Sequence, residues 1–404
     1  MRASTALFTA SAATVVAAQS ASTYYTATGA ADVAAAAATA LTLSPTSNVK
    51  GKAFDRIAII WLENTDYTLA SGDPNLSWLA EKGIKLTNNF AVTHPSEPNY
   101  AAAIGGDYFG MNNDAFNFID KNVSTVIDLL EEKGISWGEY QEDQPYSGFE
   151  GFAWVNQKTG ANDYVRKHNP AVLYDDNTIN FERLAKIKNL TMFQQDLEND
   201  TLPQWMFITP NMTSDGHDTS VTVAGAWTRK FVEPLLNDKR FMKNTLVLIT
   251  FDENSTYSLK NKIVGILLGD AVPQKLVNTT DNHFYNHYSS IATVEANWGL
   301  STLGRWDVGA NVYDWVSKYT GDELRDYSAS AMAKHWYNQS YDGVFNSAPH
   351  YPVYPKPNLC LERHGRKVQE NIKKTWRGSK NPTYYLDTIE VNDHSNPPFR
   401  YGFN

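Results

Sequence analysis

Apolar runs and amphipathic stretches alternate along the chain from Phe54 onward. Arg56 to Trp61, with Ile57, Ala58, Ile59 and Ile60 in succession, reads as a buried strand; Ile84 to Val92, Ile135 to Tyr140, Trp205 to Thr209, Leu246 to Phe251 and Ile263 to Leu268 read the same way. Between them lie stretches with helical spacing or helix stop signals. They are Leu76 to Lys82 before Gly83, Asn122 to Lys133 before Gly134, Phe181 to Leu197, Val221 to Leu236, and Ser290 to Asn297 before Gly299. Continuous apolar strands separated by helices predict an α/β fold with a mainly parallel sheet covered on both faces.

The pattern is different at the two ends. Arg2 followed by the small and apolar run Ala6 to Ala18, with Val16-Ala17-Ala18 offering a cleavage pattern, predicts a signal peptide over 1–18. Residues 19–52 form an Ala/Ser/Thr-rich segment, in which Ala34 to Ala38 is either a short helix or a spacer. The folded body spans 53–320. Residues 321–404 form a Pro-rich, partly basic extension, whose run from Arg363 to Lys380 reads as a solvated face or tail.

Composition narrows the functional classes. The 404 residues carry 35 basic and 44 acidic side chains, a net charge of −9, which argues against a nucleic-acid partner. No later segment reaches the ~20 apolar residues of a membrane span. Cys360 is the single cysteine, so an intramolecular disulfide is excluded. Eight Asn-X-Ser/Thr sequons, at Asn75, Asn122, Asn189, Asn199, Asn211, Asn254, Asn278 and Asn338, predict N-glycans and, with the leader, a secreted or cell-wall protein.

In parallel α/β sheets ligands gather outside the carboxyl ends of the strands. Two strands end there in oxygen-rich pairs, Glu63-Asn64 and Asp252-Glu253. Carboxylates held together at buried strand ends need a cation, and oxygen donors favour a hard divalent one; taken singly, either pair also reads as ordinary turn residues. His94-Pro95-Ser96-Glu97-Pro98-Asn99 places Ser96 where a strand turns into a helix, as a nucleophile that a metal could activate or as a simple cap. No Gly-X-Ser-X-Gly elbow surrounds it. His217, after the Trp205 to Thr209 strand, and His168 are imidazoles that could stabilise phosphoryl oxygens or protonate a leaving group.

Glu63-Asn64, Ser96-X-Pro98-Asn99, His168-Asn169-Pro170, Asp215-Gly216-His217 and Asp252-Glu253-Asn254, in this order and each beside its strand, resemble the phosphoesterase family of acid phosphatases and phosphatidylcholine-type phospholipases C, above all the secreted fungal acid phosphatases. The resemblance covers about residues 54–318. It implies an alkaline-phosphatase-like α/β/α sandwich, a catalytic domain over 53–320, and a phosphomonoesterase acting through phosphoserine at Ser96. It also implies metal ligands at Glu63, Asn64, Asp252 and Glu253, with catalytic or phosphate-contacting roles for His168 and His217 and substrate contacts from Asn99 and His287. Thr65-Asp66-Tyr67 stands where the phospholipase branch commonly has Arg-Ser-Phe, which favours the phosphatase. The alternatives are a phospholipase C-type phosphodiesterase and a catalytically silent secreted glycoprotein. A sulfatase would need an Arg two residues after Pro98, where Tyr100 stands.

Overall fold

The structure is a computed structural model, and it describes residues 28–346 and 353–391. The leader expected over 1–18 lies outside the described residues. Nine strands form one sheet: β1 (Arg56–Leu62), β2 (Gly83–Phe90), β3 (Trp137–Gln141), β4 (Ile187–Asn189), β5 (Trp205–Thr209), β6 (Thr245–Phe251), β7 (Lys262–Leu268), β8 (Thr279–Asp281) and β9 (Tyr285–Asn286). Their order is β8-β2-β7-β6-β1-β5-β3-β4, with β9 also pairing β2. Every neighbour pairing is parallel except those of β7, which runs antiparallel to both β2 and β6.

Strand alternation divides the interior in two. From β1, Ile57, Ile59 and Trp61 enter one core, with Tyr100, Leu129, Ile291 and Trp315 of the helices on that face. Ala58, Ile60 and Leu62 enter the other, with Leu76, Leu79, Phe193 and Val232. This is the sheet covered on both faces that the apolar runs predict, and the α/β/α sandwich that the resemblance implies. Among the described residues, no helix is long and apolar enough to cross a membrane.

Two expected helices are broken. Phe181 to Leu197 holds a short helix (Phe181–Leu184), then β4, then a second helix (Thr191–Glu198). Edge pairing with β3 overrides the helical spacing, and Lys188 is buried there on Asp196 at 2.6 Å. The helix from Val221 ends at Val232 and tightens to a 3-10 turn over Glu233–Asn237, where Pro234 has no N–H to continue it.

The extension past residue 320 packs on the body. Ile372, Trp376, Tyr385 and Ile389 join the first core. Asp107 Oδ2, just beyond the helix Ser96–Gly105, accepts hydrogen bonds from Tyr341 (2.7 Å), Tyr384 (3.0 Å) and Tyr385 (2.7 Å). The basic run is only partly a solvated face. Lys367, Lys374, Arg377 and Lys380 are exposed, whereas Arg366 is buried on Asp322 at 2.6 Å. Cys360 is exposed and unpaired.

Candidate active site

The β1–β6 register pairs Leu62 with Phe251, so Glu63-Asn64 and Asp252-Glu253 leave the sheet side by side. The backbone ties them: Asp252 N–H donates to Leu62 O at 3.0 Å, and Asn64 N–H to Asp252 Oδ1 at 3.1 Å. Asn64 takes a positive φ of 40°, a region Asn tolerates better than most side chains, which lets the chain turn sharply after Glu63. Glu63 N–H also donates to Asp215 O at 3.0 Å, bringing in the loop after β5. In that loop Gly216 has φ 103°, and a Cβ there would meet Ala224 Cβ at 3.2 Å.

Ser96 is the first residue of the helix Ser96–Gly105 and is buried. Its Oγ lies 3.4 Å from Glu63 Oε2 and 3.5 Å from Glu253 Oε1. Tyr100, one turn on, donates to Glu63 Oε1. Asn99 knits the turn: its oxygen accepts from Val92 and Thr93 N–H, and its amide donates to Thr93 O, Pro95 O and Glu253 Oε2. Asn99 thus ties the turn before Ser96 to Glu253.

The histidines divide by environment. His168 lies with Nε2 3.3 Å from Glu63 Oε2 and Nδ1 3.6 Å from Asp215 Oδ2, its ring stacked on Tyr100 at 5.1 Å. Burial, then the charge of Lys167, pushes its pKa well below the usual histidine value. His217 is partly exposed, and its Nδ1 sits 2.7 Å from Asp218 Oδ1. Its ring centre is 5.8 Å from that of His168. His287 is buried; Nε2 donates to Asp252 O at 2.6 Å and the ring packs on Trp61 at 4.3 Å. Its Nε2 proton is thus committed to the Asp252 backbone.

Sequence reading passed over Asp215 and His94. Asp215 lies in the loop six residues beyond the end of β5, and its signal in the sequence was the Asp215-Gly216-His217 motif. His94 is buried with Nδ1 2.7 Å from Glu253 Oε2, and burial lowers its pKa to about 4. Only its nearness in sequence to Ser96 hinted at this.

Four carboxylates, Glu63, Asp215, Asp252 and Glu253, are thus buried together. Burial, and for Glu63 and Glu253 next the neighbouring Asp252 charge, pushes their pKa values up. Asp215 Oδ2, His168 Nε2 and His94 Nε2 are buried with no hydrogen-bond partner among the described residues. The Asn64 side-chain oxygen faces only acceptors; turned over, its amide would donate to Glu253 Oε1 at 3.2 Å and to Asp252 Oδ1 and Oδ2 at 3.2 and 3.3 Å. Ligand atoms of Glu63, His168 and Asp215 lie within 4.8 Å of one another. Unpaired buried acceptors and like charges at this density fit a divalent cation, with oxygen donors predominating.

Asn254, one of the eight sequons, is buried and donates its amide to Asp66 Oδ1 and Thr256 O. A glycan at Asn254 has no room in this fold. Asn122, Asn199 and Asn278 are exposed, and Asn75, Asn189, Asn211 and Asn338 are partly so.

Residues 60–301 match the model of the Phosphoesterase family. The chain is 52% identical to the acid phosphatase of Aspergillus fumigatus over 87% of this chain and 79% of that one. It is 50% identical to the probable acid phosphatase of Kluyveromyces lactis over 85% and 81%. A solved protein in the alkaline phosphatase superfamily from Vibrio parahaemolyticus aligns with a TM-score of 0.40 at 12% identity, covering 65% of this chain and 73% of that chain. With that extent of identity to fungal acid phosphatases and that family match across the strand-end cluster, the chain is a phosphatase and belongs to the phosphoesterase family.

Proposed function

We propose that this phosphatase is a secreted acid phosphatase that hydrolyses phosphate monoesters through a phosphoserine at Ser96. The observation that carries the reading is the placement of Ser96 Oγ 3.4 Å from Glu63 Oε2 and 3.5 Å from Glu253 Oε1, at the first turn of a helix. Glu63, Asn64, Asp252 and Glu253 would hold a divalent cation, with Asp215 and His168 against Glu63. When bound, such a cation supplies positive charge that favours the serine alkoxide and offsets phosphoryl charge.

Ser96 Oγ forms the bond to phosphorus while the bond from phosphorus to the alcohol oxygen breaks, and the departing alcohol takes a proton. Water then attacks the phosphoserine, restoring Ser96 and releasing inorganic phosphate. His217 suits the proton donor better than His168, because Asp218 orients its Nδ1 side and it is partly open to solvent. His168, buried between Glu63 and Asp215, suits positioning. Export rests on the leader and on the exposed sequons.

Ser96→Ala should abolish hydrolysis of p-nitrophenyl phosphate without loss of folding. Acid quenching of the parent enzyme on labelled substrate should leave the label on the peptide carrying Ser96. Near-normal turnover in the variant would sink the assignment. The phosphodiesterase alternative predicts faster turnover of phosphatidylcholine than of the monoester, so the paired assay decides between them.

A further inference from the structure

Lys167 stands directly before His168 and meets Asp114, from a separate loop, with Nζ 2.9 Å from Asp114 Oδ2. The other oxygen of the same carboxylate, Oδ1, accepts the Glu97 N–H at 2.9 Å. Glu97 is the residue after Ser96. One carboxylate therefore spans from the first turn of the Ser96 helix to the Lys167 ammonium and fixes the cation beside the nucleophile's backbone.

The two cations of this loop have different employment. Arg166 is buried, with Nη1 and Nη2 donating to Asn117 O and Val172 O at 2.7 Å each and its plane over Phe116 and Phe118. It is built into the scaffold. Lys167 keeps 15% of its side chain open, whereas the neighbouring carboxylates are closed off. Among the described residues Asp114 is its hydrogen-bond partner, and an ammonium has three N–H donors. Its charge bears on Glu63, Asp215 and Glu253, and the charges of Asp114, Glu63 and Asp252 hold its own pKa up against burial.

An ester arriving at Ser96 meets four carboxylates on one side. Above the second phosphate pKa of about 6 a monoester brings two negative charges and a diester one. From this geometry we propose that Lys167, held by Asp114, binds a non-bridging oxygen of the phosphoryl group and selects the doubly charged monoester over the diester. The inference rests on the reading of Ser96 as the site of phosphoryl attack. In a diester the second organic group occupies one of the phosphoryl oxygens and removes its charge, leaving less for the ammonium to bind. A charge-assisted hydrogen bond to a phosphoryl oxygen is typically worth roughly tenfold to a hundredfold in binding.

The test compares parent, Lys167→Met and Lys167→Arg holoenzymes on p-nitrophenyl phosphate and bis(p-nitrophenyl) phosphate. Assays run at about pH 7, above the second phosphate pKa of about 6. The readout is the monoester-to-diester ratio of kcat/KM, which is unaffected by the fraction of folded enzyme. Lys167→Met should lower that ratio by roughly tenfold or more, chiefly through KM for the monoester, and Lys167→Arg should restore most of it. The competitive inhibition constant for inorganic phosphate should rise by a similar factor in Lys167→Met, and this constant decides where diester turnover is below detection. A ratio and an inhibition constant that stay at parental values overturn the proposal, even if both rates fall. Failure of the serine reading is separate: it is full turnover in Ser96→Ala, whatever the Lys167 variants do.

Discussion

The two ends of the Ser96 helix each hold buried carboxylates, and they are treated in opposite ways. Beyond its C-terminal end Asp107 is fully buried, yet three tyrosine hydroxyls and the Tyr108 N–H converge on it. At its N-terminal end Glu63, Asp215, Asp252 and Glu253 are equally buried, and Asp215 Oδ2 has no hydrogen-bond partner among the described residues. A carboxylate saturated with donors is structure; a group of carboxylates facing one another is a site awaiting positive charge. The helix dipole sharpens the contrast, since its positive end assists an anion at Ser96 whereas its negative end opposes Asp107. Three tyrosines donate to the single carboxylate at the C-terminal end, whereas at the other end Tyr100 donates to Glu63.

The contrast breaks or stands on substitution. Asp252→Asn should lower monoester turnover by about 10³-fold, the scale of losing a principal electrostatic group. The metal-free variant should melt no lower than the metal-free parent, because a like charge has left the cluster. Thermal melts with and without chelator, beside the monoester assay, check both halves; a melting point several degrees lower would put this cluster in the same class as Asp107.

Asp107→Ala should do the reverse. It leaves three tyrosine hydroxyls buried without their acceptor, which should cost about 3 kcal/mol of stability, with turnover per folded molecule near the parental value. Urea unfolding read together with active-site titration tests this. A folded variant that is stable but inactive would merge the two ends of the helix into one functional unit.

A third buried carboxyl, Glu139 on β3, sharpens the comparison through pH. Burial raises its pKa to about 8, against an Ala171 N–H that donates to it at 3.1 Å. The folded chain then holds a proton that the unfolded chain releases near pH 4.3, so this group's contribution is full below about pH 4.3 and fades as pH rises toward 8, by about 1.4 kcal/mol per pH unit. Glu139→Gln should flatten that part of the stability profile. Urea midpoints at several pH values read the slope, and an unchanged slope would show that Glu139 is not the group responsible.

Much of this was legible because buried strands write themselves as apolar runs. Ile57 to Ile60 and Leu246 to Ile249 located the sheet centre, and the oxygen-rich pairs that end these two strands lie side by side in the candidate site. What was illegible depends on contacts between distant loops. Nothing local announces that Asp114 would reach Lys167, or that Tyr384 and Tyr385 in a Pro-rich stretch would find Asp107. β4 was hidden inside a helical pattern, because three residues carry too little periodicity to outweigh their flanks. The buried Asn254 shows the same limit: its motif is local, and its exposure is decided by Asp66 from another loop.

The tyrosine contacts on Asp107 also redraw the smallest self-sufficient piece of this protein. Residues 60–301 carry the family match and the proposed ligands, nucleophile and histidines, so a fragment cut to those limits would keep every group proposed for the reaction. It would lose Tyr341, Tyr384 and Tyr385, and with them the side-chain donors that hold Asp107 at the foot of the nucleophile's helix. Protease nicking or a premature stop before Tyr384 would thus be felt through an unstable foundation, in a chain whose chemical groups are all still present.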